Sequence, residues 1–190
     1  MLKSCLSVCV LVASLFLAGR EGAAQEIVHA LTGSVSSINT ANGTITLLLD
    51  SGSQGTFKVM SASTKNVAFD KKVAEDTVAA NNFGKQGAYV IVFYFGSEEN
   101  RTAVAVKSLG AGPFSSITGD VAKWDGHRHT LSLNDKDGVE HSFKVDAQTV
   151  AETYMGVVDG SKFDIDKGDR VRLVTSTENG ISTVLFIRQK

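Results

Sequence analysis

The sequence predicts an all-β protein made of two tandem small barrels of about five strands each. Three observations predict it. One segment occurs twice, 86 residues apart; apolar and polar residues alternate along it; and glycine- and aspartate-rich turns interrupt the alternation at short intervals. Thr32-Gly33-Ser34-Val35 returns as Thr118-Gly119-Asp120-Val121, and Phe57-Lys58-Val59 returns as Phe143-Lys144-Val145. Thr44, Leu47 and Gly52 return as Thr130, Leu133 and Gly138. Downstream, Gly87-Ala88-Tyr89-Val90 answers Gly168-Asp169-Arg170-Val171 and Thr102 answers Thr183, now 81 residues apart. A duplicated unit sets domain limits before any strand is assigned. The repeats run over 27–109 and 114–190, joined by Gly110-Ala111-Gly112-Pro113, which holds the only proline of the chain.

Residues 1–24 are expected to be a cleaved signal peptide. Lys3 gives a positive start, Leu6 to Leu17 form an apolar run, and Gly22-Ala23-Ala24 offer the small residues a signal peptidase reads. The run is shorter than the roughly 18–20 residues a membrane helix needs. The expected location is therefore exported, periplasmic or extracellular, and the chain is not expected to be an integral membrane protein. Both cysteines, Cys5 and Cys9, fall in the segment to be removed, so the mature chain holds no thiol for nucleophilic, redox or cysteine–zinc chemistry. At about 80 residues, each repeat is near the size below which a single core is marginal, and packing one repeat on the other would help.

The charge is nearly balanced, with 19 basic and 20 acidic residues and a net charge of −1. Loss of Lys3, Arg20 and Glu21 leaves −2. No basic run stands out, and nucleic-acid binding depends on neutralising phosphates, so a nucleic-acid partner is not expected.

Taken in order, Thr44 to Leu49 and Thr130 to Leu133 alternate as strands. Asp50-Ser51-Gly52 and Asp135-Lys136-Asp137-Gly138 are turns, and Phe57 and Phe143 open the returning strands. Asn39 to Gly43 and Asp125-Gly126 mark the turns before them. Val90 to Phe95 and Val104 to Val106 are matched by Val171 to Val174 and Val184 to Ile187. Between these, Val67, Val73, Ala74 and Val78 predict a helix over 67–80, whereas 149–160 reads as strand and turn. The repeats differ in length here, which places the segment outside the barrel wall.

The run Gly33-Ser34-Val35, Gly43-Thr44-Ile45-Thr46-Leu47, turn, Phe57-Lys58-Val59, Gly87 and a valine strand resembles the exported bacterial small β-barrel domains of OB-like type, of unknown function. The resemblance covers both repeats and implies two tandem five-stranded OB-like barrels. It implies no catalytic residue.

Each repeat serves as a control for the other. His127, His129 and His141 in the second repeat stand where the first has Ala41, Gly43 and Gly55, while the first has only His29, ahead of its barrel. Strand alternation puts His127, His129, Leu131 and Leu133 on one face. Folding the hairpin places Ser132 opposite His141 with His129 one step further, so the three imidazoles are a candidate copper or zinc site. Trp124, three residues before His127, resembles the tryptophan beside the metal in the periplasmic copper-chaperone version of the OB fold. That version uses one histidine and two methionines, and here histidines replace the methionines one hairpin earlier. The alternative is a polar turn with solvated imidazoles and no cofactor at all.

The second difference is apolar. Arg172, Val174 and Ser176 alternate with Val171, Leu173 and Thr175, but the matching strand of the first repeat carries Ile91, Phe93 and Phe95 against Val90, Val92 and Tyr94. Such a strand is apolar on both faces, and its outer face is expected to meet the other repeat or a protein partner. Asp135-x-Asp137-Gly138 and Asp164, Asp166 and Asp169 are explained by turn chemistry, since the spaced ligands of a calcium loop are missing. Asn42-Gly43-Thr44 and Asn100-Arg101-Thr102 are glycosylation sequons. No glycine-framed nucleophile or carboxylate pair appears, so an enzyme is not expected. The expected function is an exported binding or structural module, with a copper or zinc binder and an envelope glycan binder as rivals.

Overall fold

The structure, a computed structural model, describes residues 26–60 and 70–190. The expected signal peptide lies outside the described residues, as does the start of the expected helix at Val67. The fold is all-β with two separate sheets. The first repeat forms β1 (His29–Asn39), β2 (Thr44–Leu49), β3 (Gln54–Val59), α1 (Lys71–Ala74), β4 (Thr77–Ala79), β5 (Tyr89–Phe95) and β6 (Thr102–Ser108). The second forms β7 (Phe114–Asp125), β8 (Thr130–Asn134), β9 (Glu140–Lys144), β10 (Val150–Thr153), β11 (Gly156–Asp159), β12 (Arg170–Glu178) and β13 (Ile181–Gln189).

Each repeat closes on itself through one short parallel contact. In the first, β1 pairs with β2 and β5, β2 with β3, β5 with β6, and β3 meets β6 at Lys58–Thr102. In the second, β7 pairs with β8 and β12, β8 with β9, β12 with β13, and β9 meets β13 at Lys144–Thr183. Five strands thus close a ring in each repeat, and closure leaves no edge within the ring to pair with another chain. The rest of the outer edge of β6 takes β4, and that of β13 takes β10, which carries β11.

The duplication holds to the level of irregularities. A bulge between Val35 and Ser37 recurs between Val121 and Lys123, and one between Phe93 and Tyr94 recurs between Val174 and Thr175. A bulge bends its strand and sharpens the twist, which a five-stranded ring needs in order to close. The two barrel interiors are built from matching residues: Val35, Ile45, Leu47, Phe57, Val90, Val92 and Val106 in one, and Val121, Leu131, Leu133, Phe143, Val171, Leu173 and Ile187 in the other.

The middle segments depart from expectation in the first repeat. Over 70–80, the described part of the expected helix, the α-helix is a single turn, Lys71–Ala74, capped by Asp70, whose side chain accepts from the Lys72 N–H at 2.8 Å. Asp76 then takes a positive φ of 61°, and Thr77–Ala79 join β6 as a strand. Backbone pairing with an open edge outweighs the weak helical spacing of four small or β-branched residues. In the second repeat the segment is the hairpin of β10 and β11.

A third apolar cluster joins the repeats. Val28, Ala30, Val73, Ile91, Phe93, Val104 and Ala105 of the first pack with Val150, Val157, Val174 and Phe186 of the second, and Phe95 and Phe114 are half-buried against them. Ile91 and Phe93 are fully buried there. Phe93 faces Ala105 across β5 and β6, while the equivalent pair on β12 and β13 is Val174 and Phe186. One phenylalanine per repeat sits on opposite strands of the equivalent hairpins, beside a smaller residue. Side chains from both repeats thereby share one volume without crowding. An ion pair and a hydrogen bond also cross between the repeats: Lys162 of the second bonds Asp70 of the first, and Lys72 donates to Ser161 Oγ at 3.4 Å.

Candidate functional site

The three candidate histidines are not brought together. His141 stands opposite Leu133 on β8, not Ser132. The His129 carbonyl accepts from the Val145 N–H, four residues along β9, so roughly 13 Å of strand separates the two positions. His127 and His129 lie in the turn before β8, and His129 has a positive φ of 51°, which breaks the alternation that would put them on the face of Leu131. Among the described residues no group of three His, Cys, Asp or Glu side chains is placed to hold a metal ion. His141 instead pairs with Asp135, Nε2 to Oδ2 at 2.8 Å, and that bond leads the interactions holding the Asp135 carboxyl below its usual pKa. Asp135 also caps its own turn by accepting from the Asp137 and Val139 N–H groups, both at 2.9 Å. Trp124 packs edge-on against Phe163 at 5.6 Å as part of the second barrel.

A cleft of about 740 Å³ opens between the repeats. Thr32, Asp50, Ser51, Ser53, Gln54, Glu98 and Arg101 line it from the first repeat. Ser116, Thr118, Arg172, Arg188, Gln189 and Lys190 line it from the second. Four cations thus face two carboxylates, in a chain whose net charge is −1. Two leucines, Leu31 and Leu49, complete the lining, and among the described residues no aromatic ring is part of it.

One wall is an interlocked polar network. The Thr32 hydroxyl donates to Asp50 Oδ2 at 2.6 Å, and the Tyr89 hydroxyl donates to the same carboxylate at 2.8 Å. Arg172 crosses from the second repeat to pair with Asp50, donates to Thr32 Oγ1 at 2.9 Å and to Ser116 Oγ at 3.2 Å. Burial lowers the Arg172 pKa below its ordinary value, and the nearby charge of Arg188 adds to the shift. Each of these two cations is matched by a carboxylate, Arg172 by Asp50 and Arg188 by Glu152.

Arg188 leads to a second, smaller recess lined by His29, Glu152, Tyr154 and Asp169. His29, expected ahead of the barrel, is the first residue of β1, and its Nδ1 is 3.2 Å from Glu152 Oε1 of the other repeat. Arg188 Nε stands 3.2 Å from Glu152 Oε2 as an ion pair, at an angle that makes no hydrogen bond. Burial raises the Glu152 pKa, against the opposing pull of Arg188 and His29. A raised carboxyl pKa adds stability that is fully present below the unfolded value and is lost as pH rises through the folded one. Between pH 4.5 and neutrality, Glu152→Gln is therefore expected to lose less stability than the native chain; urea midpoints at both ends of that range, equally displaced in the two proteins, would refute it.

Arg101 is the residue that sequence reasoning passed over, having appeared only inside a sequon. Its side chain is 12% exposed and its guanidinium lies 5.6 Å from the ring centres of both Phe57 and Tyr94. Its Nε is buried without a hydrogen-bond partner among the described residues. Its ion-pair partner Glu98, at 3.3 Å, is 93% exposed. Gly55 lies beside the guanidinium: a Cβ there would come within 3.3 Å of Nη1 and of the Leu49 side chain. The repeat offered a signal for this, because His141 fills the Gly55 position and Ser182 the Arg101 position in the second copy.

No protein family matches the chain, and no curated protein does. Among solved structures, the crystal structure of Ag(I)CusF is similar over 42% of this chain and 100% of that chain, at 16% identity and a TM-score of 0.33. A likeness at that level carries no argument about function. Among the described residues, no helix is long and apolar enough to cross a membrane.

Proposed function

We propose that this protein is an exported, non-enzymatic binding module that takes its ligand in the cleft between two OB-like barrels. The observation that carries the reading is the cleft itself, lined from both repeats and backed by the apolar cluster they share. Preformed concave surfaces with a few fixed polar groups are where small ligands bind, since little ordering entropy remains to be lost. The non-enzymatic part is supported by Asp50, whose carboxylate is saturated by Thr32, Tyr89 and Arg172 and is not free to act as a base. The apolar strand of Ile91 and Phe93, spent on contact between repeats, explains why a separate docking partner is not required for it.

Thermal unfolding of residues 25–190 against a panel of small polar molecules tests the reading. A ligand that binds only the folded state stabilises it by about 2.7 kcal/mol at a hundred times its Kd. Ser53→Trp places an indole at the exposed mouth of the cleft and is expected to abolish that shift. Ser142→Trp, on the exposed face of β9, is expected to leave it intact. A panel without any stabilising member, or a shift that Ser53→Trp keeps, would remove the cleft from consideration.

A further inference from the structure

We propose that the cleft binds a compact, hydroxyl-rich molecule carrying one oxyanion, a sugar acid or sugar phosphate, with Arg101 as the anchoring cation. The inference rests on the binding-module reading and names its ligand class. Three observations carry it. Arg101, Arg172, Arg188 and Lys190 exceed the acidic groups Asp50 and Glu98 in the lining, although the chain as a whole is slightly acidic. Arg172 and Arg188 are already engaged by Asp50 and Glu152, which form fixed ion pairs in the walls.

Arg101 differs from both. Phe57 and Tyr94 hold its guanidinium in place, yet its counter-ion Glu98 is almost wholly in solvent and makes one 3.3 Å contact. A planar fork held rigid by aromatic faces loses little freedom on pairing with a carboxylate or phosphate, and such pairs form two parallel hydrogen bonds. Among the described residues its buried Nε has no hydrogen-bond partner, so on that side no protein acceptor competes for the guanidinium charge.

The duplication argues that this arrangement serves binding and is not required by the barrel. The equivalent strands of the second repeat close with the same register, Lys144 facing Thr183 as Lys58 faces Thr102. That barrel does so with Ser182 and His141 in place of Arg101 and Gly55. A barrel of this kind therefore closes without the arginine and without a glycine beside it. The rest of the ligand is specified by Ser51, Ser53, Gln54, Thr118 and Gln189, all hydrogen-bonding side chains. The lining has no ring on which a nucleobase would stack.

Calorimetric titration at low salt, where surface screening is weakest, uses four probes: inorganic phosphate, a hexuronate, a hexose 6-phosphate and the neutral hexose. At least one acidic sugar is expected to bind at least tenfold more tightly than the neutral hexose, and the stronger of the two identifies the oxyanion. Arg101→Gln is expected to weaken that binding at least tenfold, and Arg101→Lys to restore little of it. Glu98→Gln, at an exposed side chain with no part in the core, is expected to tighten it severalfold by removing the competing carboxylate. The proposal is overturned if no acidic probe binds, if the neutral hexose binds as well, or if Arg101→Gln and Glu98→Gln both leave affinity unchanged. Neutral molecules blocked by Ser53→Trp, with no dependence on Arg101, would overturn the oxyanion while keeping the cleft.

Discussion

Phe93→Ala is expected to lower the unfolding free energy by about 3–5 kcal/mol, the range for removing a buried phenylalanine. Phe93 is fully buried in the cluster that joins the repeats, so the cavity opens between barrels and not inside one. The loss is therefore expected to appear first as uncoupling. Urea unfolding followed by tryptophan emission reports the second repeat through Trp124, while far-UV circular dichroism reports both. The native chain is expected to give coincident transitions, and Phe93→Ala two separated ones, with the Trp124 transition the less displaced. A variant that unfolds in one unchanged transition would show that the shared cluster contributes nothing to holding the repeats together.

Gly33→Ala and Gly119→Ala are each expected to cost about 3 kcal/mol, the upper end of the overpacking range. A Cβ on Gly33 would lie 2.5 Å from the Leu48 carbonyl oxygen, and one on Gly119 would lie as close to that of Asn134. The atom met is backbone in a paired strand, so relief requires β1 and β2, or β7 and β8, to separate. Neither glycine has a positive φ; close approach alone demands it, where the first strand bends just ahead of its bulge. The doubled experiment carries its own control, since the two sites are equivalent. A cost below about 1 kcal/mol at both sites would mean that the strands part easily there and that the repeated Thr-Gly pair has another cause.

Much of the fold was legible because its signals are local. Alternation at Thr44–Leu49, the turns at Asp50 and Asp135, and the shared Phe57 and Phe143 each depend on residues a few positions apart. The helix expected over 67–80 failed where a competing edge, β6, offered backbone pairing that the local pattern does not register. The histidine site failed for a related reason. A convergence of His127, His129 and His141 needed alternation to continue through a turn, and His129 there adopts a left-handed conformation instead.

The sequence by itself determined the duplication, the all-β class and the outward apolar strand at Ile91, Phe93 and Phe95, because periodicity and turn chemistry are written along the chain. Only the tertiary structure decided that this strand meets Val174 and Phe186, that Arg172 crosses to Asp50, and that Arg101 lies beside Gly55. Those contacts join positions separated by tens of residues, and the first two also cross the joint between repeats. Their partners are chosen by how two closed surfaces fit, and neither surface exists until its own barrel has formed.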